Sequence, residues 1–194
     1  RILKEPREWE RNRYLSKNNN NILRLPYIQA AFPEALIIIP FRDPIQQSIS
    51  LFEQHQRFCN VHGKDYFSYQ YMRWLGHHEF GLTHRPYKFG DEGNALILMD
   101  KPDSVNYWLS LWNSTYRYLL ELAPTNCVFS CYEELCEEPN RSLGNLFETA
   151  ETPREVGMGD LGLRLPKTRQ IPPVDESLWT EGQLIYDELR SRTY

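Results

Sequence analysis

The sequence predicts an α/β fold, a parallel sheet flanked by helices, on three observations. Leu36-Ile37-Ile38-Ile39-Pro40-Phe41 is a short apolar run, rich in β-branched residues and free of polar alternation. Such a run reads as a strand buried on both faces. A capped helix follows it at once. A second apolar run, Asn126 to Cys131, stands behind the most strongly amphipathic stretch of the chain. Strands separated by helices are the pattern of a helix-covered parallel sheet.

The elements follow in order. Arg13 to Ser16 reads as a short strand. Asn18 to Asn21 is a turn run, and Asn21 can cap a helix through Ala31. After the first apolar run, Asp43 suits the cap of a helix, Pro44 its first position, and Gln46 stands three residues past the cap. Ile45, Ile49, Phe52 and Cys59 trace the apolar face of that helix. Residues 64 to 80 carry Tyr66, Phe67, Tyr69, Tyr71, Trp74 and Phe80, which read mainly as core aromatics. Residues 81 to 102 are rich in Gly, Pro and charge and read as an irregular insertion. From Asp103 to Ala123, Val105, Trp108, Leu109, Trp112, Tyr116, Leu119, Leu120 and Ala123 follow helical spacing, and Pro124 ends the helix. A helix over Glu133 to Ala150, a loop over 151 to 173 and a last helix over Asp175 to Arg190 complete the reading. No repeat or boundary divides the chain, so residues 1 to 194 read as one domain.

Composition narrows the function. The 194 residues are 41% hydrophobic and 13% aromatic, which excludes a disordered chain. The net charge of −4 argues against a nucleic-acid binder. Residues 1 to 25 nevertheless hold seven basic and three acidic side chains, the pattern of a local anion site on an acidic protein. The longest apolar stretch, Ala35 to Phe41, falls far short of the roughly 20 residues of a membrane span. Four cysteines without a CxxC pair point to free thiols in a reducing compartment, hence to a cytoplasmic location.

Three motifs point elsewhere, and their context argues against each. Gly157-Met158-Gly159-Asp160-Leu161-Gly162 matches a dinucleotide fingerprint, but a helix precedes it and Pro166 interrupts the helix that should follow. His77, His78, Glu79 and His84 lack the spacing of a zinc site, so no metal is expected. Asn113 and Asn140 open glycosylation sequons, yet Asn113 lies within the strongest helix.

Arg42 stands at the carboxyl end of the first strand, where open α/β sheets bind ligands. The next helix presents its free N–H groups there, which favours an anion. Ser50 follows eight residues on. A guanidinium and a hydroxyl so placed could hold one phosphate. The plainer alternative is an Arg42 paired with Asp43 or with a helix C-terminus.

These residues resemble a family. Lys17-Asn18-Asn19-Asn20-Asn21 with Arg24-Leu25, Phe32-Pro33-Glu34-Ala35, Phe41-Arg42-Asp43-Pro44 with Ser50, and Tyr132-Glu133-Glu134-Leu135 with Glu138-Pro139 look like segments of the sulfotransferases that use 3′-phosphoadenosine 5′-phosphosulfate (PAPS). The resemblance covers residues 14 to 60 and 126 to 150. It implies a P-loop-type α/β architecture and transfer of a sulfuryl group from PAPS to an acceptor hydroxyl or amine of a small molecule or carbohydrate, leaving 3′-phosphoadenosine 5′-phosphate (PAP). It implies that Arg42 and Ser50 bind the 3′-phosphate, that Tyr132 lies near the adenine and that Lys17 contacts the phosphosulfate. The family's phosphosulfate loop has no counterpart in residues 1 to 12, which contain no glycine, and is expected upstream of Arg1. Where many members carry a catalytic histidine, this chain has Asn19, so His77 and His78 become the candidate bases, with Glu79 a comparable carboxylate candidate and His55 further from the phosphate end. The basic segment that closes over the nucleotide is replaced, on charge and position, by Arg164, Lys167 and Arg169. An ATP-dependent P-loop phosphotransferase and a non-catalytic nucleotide- or partner-binding relative are the alternatives.

Overall fold

Two short strands, β1 (Ile37–Phe41) and β2 (Cys127–Cys131), pair in parallel, with Ile37 opposite Cys127 and Phe41 opposite Cys131. The computed structural model describes residues 14–89, 101–122, 126–151, 163–165 and 169–193. Among these, seven α-helices surround the strands: α1 (Leu25–Ala31), α2 (Pro44–Lys64), α3 (Tyr66–Trp74), α4 (Val105–Leu122), α5 (Tyr132–Glu137), α6 (Pro139–Thr149) and α7 (Glu176–Ser191). The chain is thus an α/β protein with a small parallel sheet.

The central helix is α4. Its apolar stripe is buried as the spacing demands: Trp108 and Leu109 are each 1% exposed, and Trp112 and Tyr116 lie against Phe41 and Phe129 of the strands. α7 closes the same core with Ile185 and Leu189. A second cluster joins Ile45 and Ile49 of α2 to Val105 and Leu109 of α4 and Leu178 of α7. Asn113 is buried among these helices and donates to the Leu178 carbonyl at 2.9 Å, so it cannot serve as a glycan acceptor in this fold. Arg117 of α4 pairs with Glu181 of α7.

Several expectations are corrected. β1 is not buried on both faces: Ile39 and Phe41 are buried, but Ile38 and Pro40 are exposed, because α1, α4 and α7 pack on the Ile39 and Phe41 side. Residues 14 to 16 form no strand; Tyr14 and Leu15 lie open to solvent with no ladder to join. Asn18 rather than Asn21 caps the turn that follows, accepting from the Asn20 N–H, and a 3₁₀ segment, Asn19–Arg24, leads into α1. Pro26 sets the start of α1, since proline suits a first turn. The single helix expected over 133 to 150 is two, broken at Glu138 because a residue before proline avoids helical geometry.

The aromatics of α3 are not core. Tyr66, Phe67, Tyr71 and Trp74 are exposed, and Phe67 stacks on Tyr71 with ring centroids 5.7 Å apart. Of the expected set, Phe80 packs inward, stacked between Phe58 and Trp108, and the half-buried Tyr69 sets its ring against His62. The expected insertion begins with a 3₁₀ turn, Gly81–Thr83, held against α2; residues 90–100 lie outside the described set. Arg13, the 157–162 glycine pattern, Pro166 and Lys167 also lie outside it.

Candidate nucleotide site

The first turn of α2 is built as its sequence requires. Asp43 accepts from the Gln46 N–H at 2.8 Å, and Pro44 occupies the first turn, where no N–H is needed. Burial, ahead of every other cause, raises the Asp43 carboxyl above its usual range. Asp43 is turned into the cap and does not pair with Arg42. Its own N–H donates to Glu133 Oε1 at 3.1 Å, which ties the start of α2 to α5 across the sheet end.

Arg42 lies instead over the ring of Tyr132, with Cζ 4.7 Å from the ring centroid. Its Nε is buried and has no hydrogen-bond partner. The Tyr132 hydroxyl donates to the Arg164 carbonyl at 3.1 Å, which draws residues 163–165 up to the same end of the sheet. Side-chain bonding to Cys136 and burial raise the Tyr132 phenol, so it stays neutral.

Arg169 completes the group. Its N–H donates to Gln46 Oε1 at 3.3 Å, its Nη1 to the Gln46 carbonyl at 3.5 Å, and its Nη2 pairs with Glu53 at 3.1 Å. Gln46, Ser50 and Glu53 fall on one face of α2 at helical spacing, so Arg169 lies along the face that carries Ser50. The structure therefore brings Arg42, Ser50, Tyr132 and Arg169 to the amino-terminal half of α2. Arg42 and Arg169 contribute two guanidiniums, Ser50 a hydroxyl and Tyr132 an aromatic face. That set is suited to a phosphate joined to a planar group.

Lys17 is exposed and makes no ion pair among the described residues. His77 and His78 are elsewhere. They follow α3 and precede the 3₁₀ turn that packs on the carboxyl-terminal half of α2. His77 Nδ1 lies 3.5 Å from Glu79, and His78 Nδ1 lies 3.2 Å from the Thr83 carbonyl. α2 has 21 residues, hence a length of about 30 Å, so the two histidines and Arg42 belong to opposite ends of it.

Gln46, Glu53 and Glu133 are residues that sequence reasoning missed. Their placement depends on contacts more than 50 residues away, for which no local pattern exists. The buried histidines His55 and His62, with the half-buried His84, were equally invisible as a group. Among the described residues no cluster of three or more His, Cys, Asp or Glu could hold a metal, and no helix is long and apolar enough to cross a membrane. No family model, curated protein or solved structure matches the chain.

Proposed function

We propose that the chain is the nucleotide-binding body of a sulfotransferase that uses PAPS, with the P-loop-like architecture of that class. The observation that supports this reading is Arg42. A guanidinium nitrogen is buried without a partner at the carboxyl end of a parallel strand, beside an aromatic ring. A buried donor left unmatched is costly, and a phosphate oxygen would meet it. The turning of Asp43 into the helix cap leaves the Arg42 charge available for an incoming anion.

The residues fit the nucleotide. Arg42, Ser50 and Arg169 would hold the 3′-phosphate, Arg169 by exchanging or sharing its Glu53 contact. Tyr132 would lie beside the adenine. PAPS, when bound, supplies the sulfuryl group. Lys17 presents an exposed ammonium, without an ion pair among the described residues, just ahead of the 3₁₀ segment that leads into α1, where a cation would stabilise charge developing on the leaving nucleotide. His77 and His78 belong to the other end of α2 from Arg42, too far to take the proton of a small-molecule or carbohydrate acceptor at a nucleotide held there, so the reading leaves that proton to another group. Cys59, Cys127, Cys131 and Cys136 are free thiols, which favours a cytoplasmic setting.

Calorimetry tests the reading. Adenosine 3′,5′-bisphosphate should bind more tightly than AMP or ATP, because only it presents a 3′-phosphate to Arg42 and Ser50. Equal affinity for the three nucleotides would overturn it, and tightest binding of ATP would favour a phosphotransferase.

A further inference from the structure

Segment 81–89 is held to α2 by two imidazoles that act as acceptors. The Gly81 N–H donates to His55 Nδ1 at 3.2 Å, and the Leu82 N–H donates to His62 Nδ1 at 3.3 Å. Both histidines are buried, 7% and 5% exposed, and seven residues apart they share one face of α2. A ring that accepts at Nδ1 carries its proton on Nε2. In His55 that nitrogen faces Cys59 Sγ at 3.4 Å, a thiol kept neutral by burial. The fit has no slack. Gly81 adopts φ +80°, and a Cβ there would stand 2.5 Å from two atoms of the His62 ring.

The same segment reaches two further elements. His84 Nε2 lies 2.7 Å from the Tyr107 hydroxyl on α4. The Tyr87 hydroxyl donates to Asn20 Oδ1 at 3.2 Å, three residues from Lys17.

We propose that His55 is the acid-released half of a clamp that it forms with His62: it holds segment 81–89 at neutral pH and frees it as the His55 ring protonates. A protonated Nδ1 is a donor and cannot accept from a backbone N–H. Protonation of His55 therefore breaks the Gly81 bond and sets two donors against each other.

The surrounding groups place the transition. His55 faces His84 from the held segment, Trp108 from α4, Cys59 from its own helix and Asp103 from the segment before α4. Lys101 and Asp103 line a cavity of about 420 Å³ that opens at His55, Gln56 and Cys59 and gives protons a route to the ring. His62 faces Phe58 on α2 and Tyr69 on α3, neither of which is charged. Burial, reinforced by His84 and opposed by Asp103, holds His55 down to about 4; burial lowers His84 as well. A released imidazole titrates near 6.5. Since the held form has the lower pKa, the clamp is complete above about pH 6.5 and weakens as the pH falls toward about 4. For His55 alone the opening equilibrium grows about 20-fold between pH 7 and pH 5.

Hydrogen exchange on the full chain tests this, read by NMR at the Gly81 and Leu82 amides and corrected for the intrinsic pH dependence of exchange. Opening at these two amides should rise about 20-fold between pH 7 and pH 5, while the Ser130 amide, which faces β1, keeps its protection. His55→Asn keeps an oxygen acceptor near the Nδ1 position but does not titrate, so it should flatten the pH dependence. Unchanged Gly81 and Leu82 protection at pH 5 overturns the proposal, as does a His55→Asn chain with the full wild-type dependence. Should that variant fail to fold, the wild-type His55 ring is titrated directly; its midpoint is expected well below 6.5, and a midpoint at or above 6.5 overturns the clamp. The measurement needs no nucleotide, so it stands apart from the enzymatic reading.

Discussion

Arg42 sits where a charge is hard to leave alone, with one nitrogen buried and unmatched and an aromatic ring beneath. Replacing it by alanine should lower affinity for adenosine 3′,5′-bisphosphate about 10- to 100-fold, the worth of one charged hydrogen-bonding group, and remove the preference over AMP, as calorimetry would show. Lys17→Ala should behave differently. The side chain is exposed and makes no ion pair among the described residues, so bisphosphate affinity should hold while turnover falls by about 10²- to 10³-fold in a sulfuryl-transfer assay. Full activity in that variant would remove Lys17 from the chemistry. Cys127 makes a chemical prediction: burial pushes its thiol up to about 11. At pH 8 only about one molecule in 10³ carries the thiolate there. Alkylation of Cys127, followed by mass spectrometry, should therefore be slow until denaturant is added.

At the scale of elements, the caps were legible and the breaks were partly so. Asp43, Pro44 and Gln46 announced the start of α2 because a cap is a local device, settled by neighbours within one turn. Asp43→Ala should cost about 0.5–2 kcal/mol in chemical denaturation, since the Gln46 N–H loses its acceptor. The interruption at Glu138 was equally local, written in Pro139, and the apolar spacing on either side concealed it. The aromatics of α3 could not be read correctly. Their helical periodicity is real, but what decides burial is whether another element covers them, and in the described residues only the end of α2 lies near. The candidate site divides the same way. Arg42 and Ser50 belong to one strand-to-helix unit and could be read together. Arg169 reaches Gln46 and Glu53 across more than 110 residues, and only its charge and position suggested it.

For the whole molecule, α4 is the element on which all three apolar clusters converge. Trp112→Ala should cost about 3–5 kcal/mol, because its ring is nearly fully buried beside Phe41 and Tyr116 and its Nε1–H donates to Gln47 Oε1 at 3.0 Å. Thermal unfolding would show whether strands and helices are lost together, as one shared core requires. The α/β class was readable because strand–helix alternation is a property of the whole chain. The size of the sheet was not, since an apolar run does not say how many neighbours it will meet.

The proline in β1 has a consequence for how molecules meet one another. The Ile37 N–H points toward β2, where it donates to the Asn126 carbonyl, so alternation turns the Ile38 and Pro40 backbone groups to the opposite flank. On that flank Pro40 has no hydrogen to give, and its oxygen is already taken by the Tyr116 hydroxyl at 2.9 Å. An extended segment from a neighbouring molecule arriving there finds half its rungs missing. Among the described residues, this flank of β1 is thereby a poor template for a further strand.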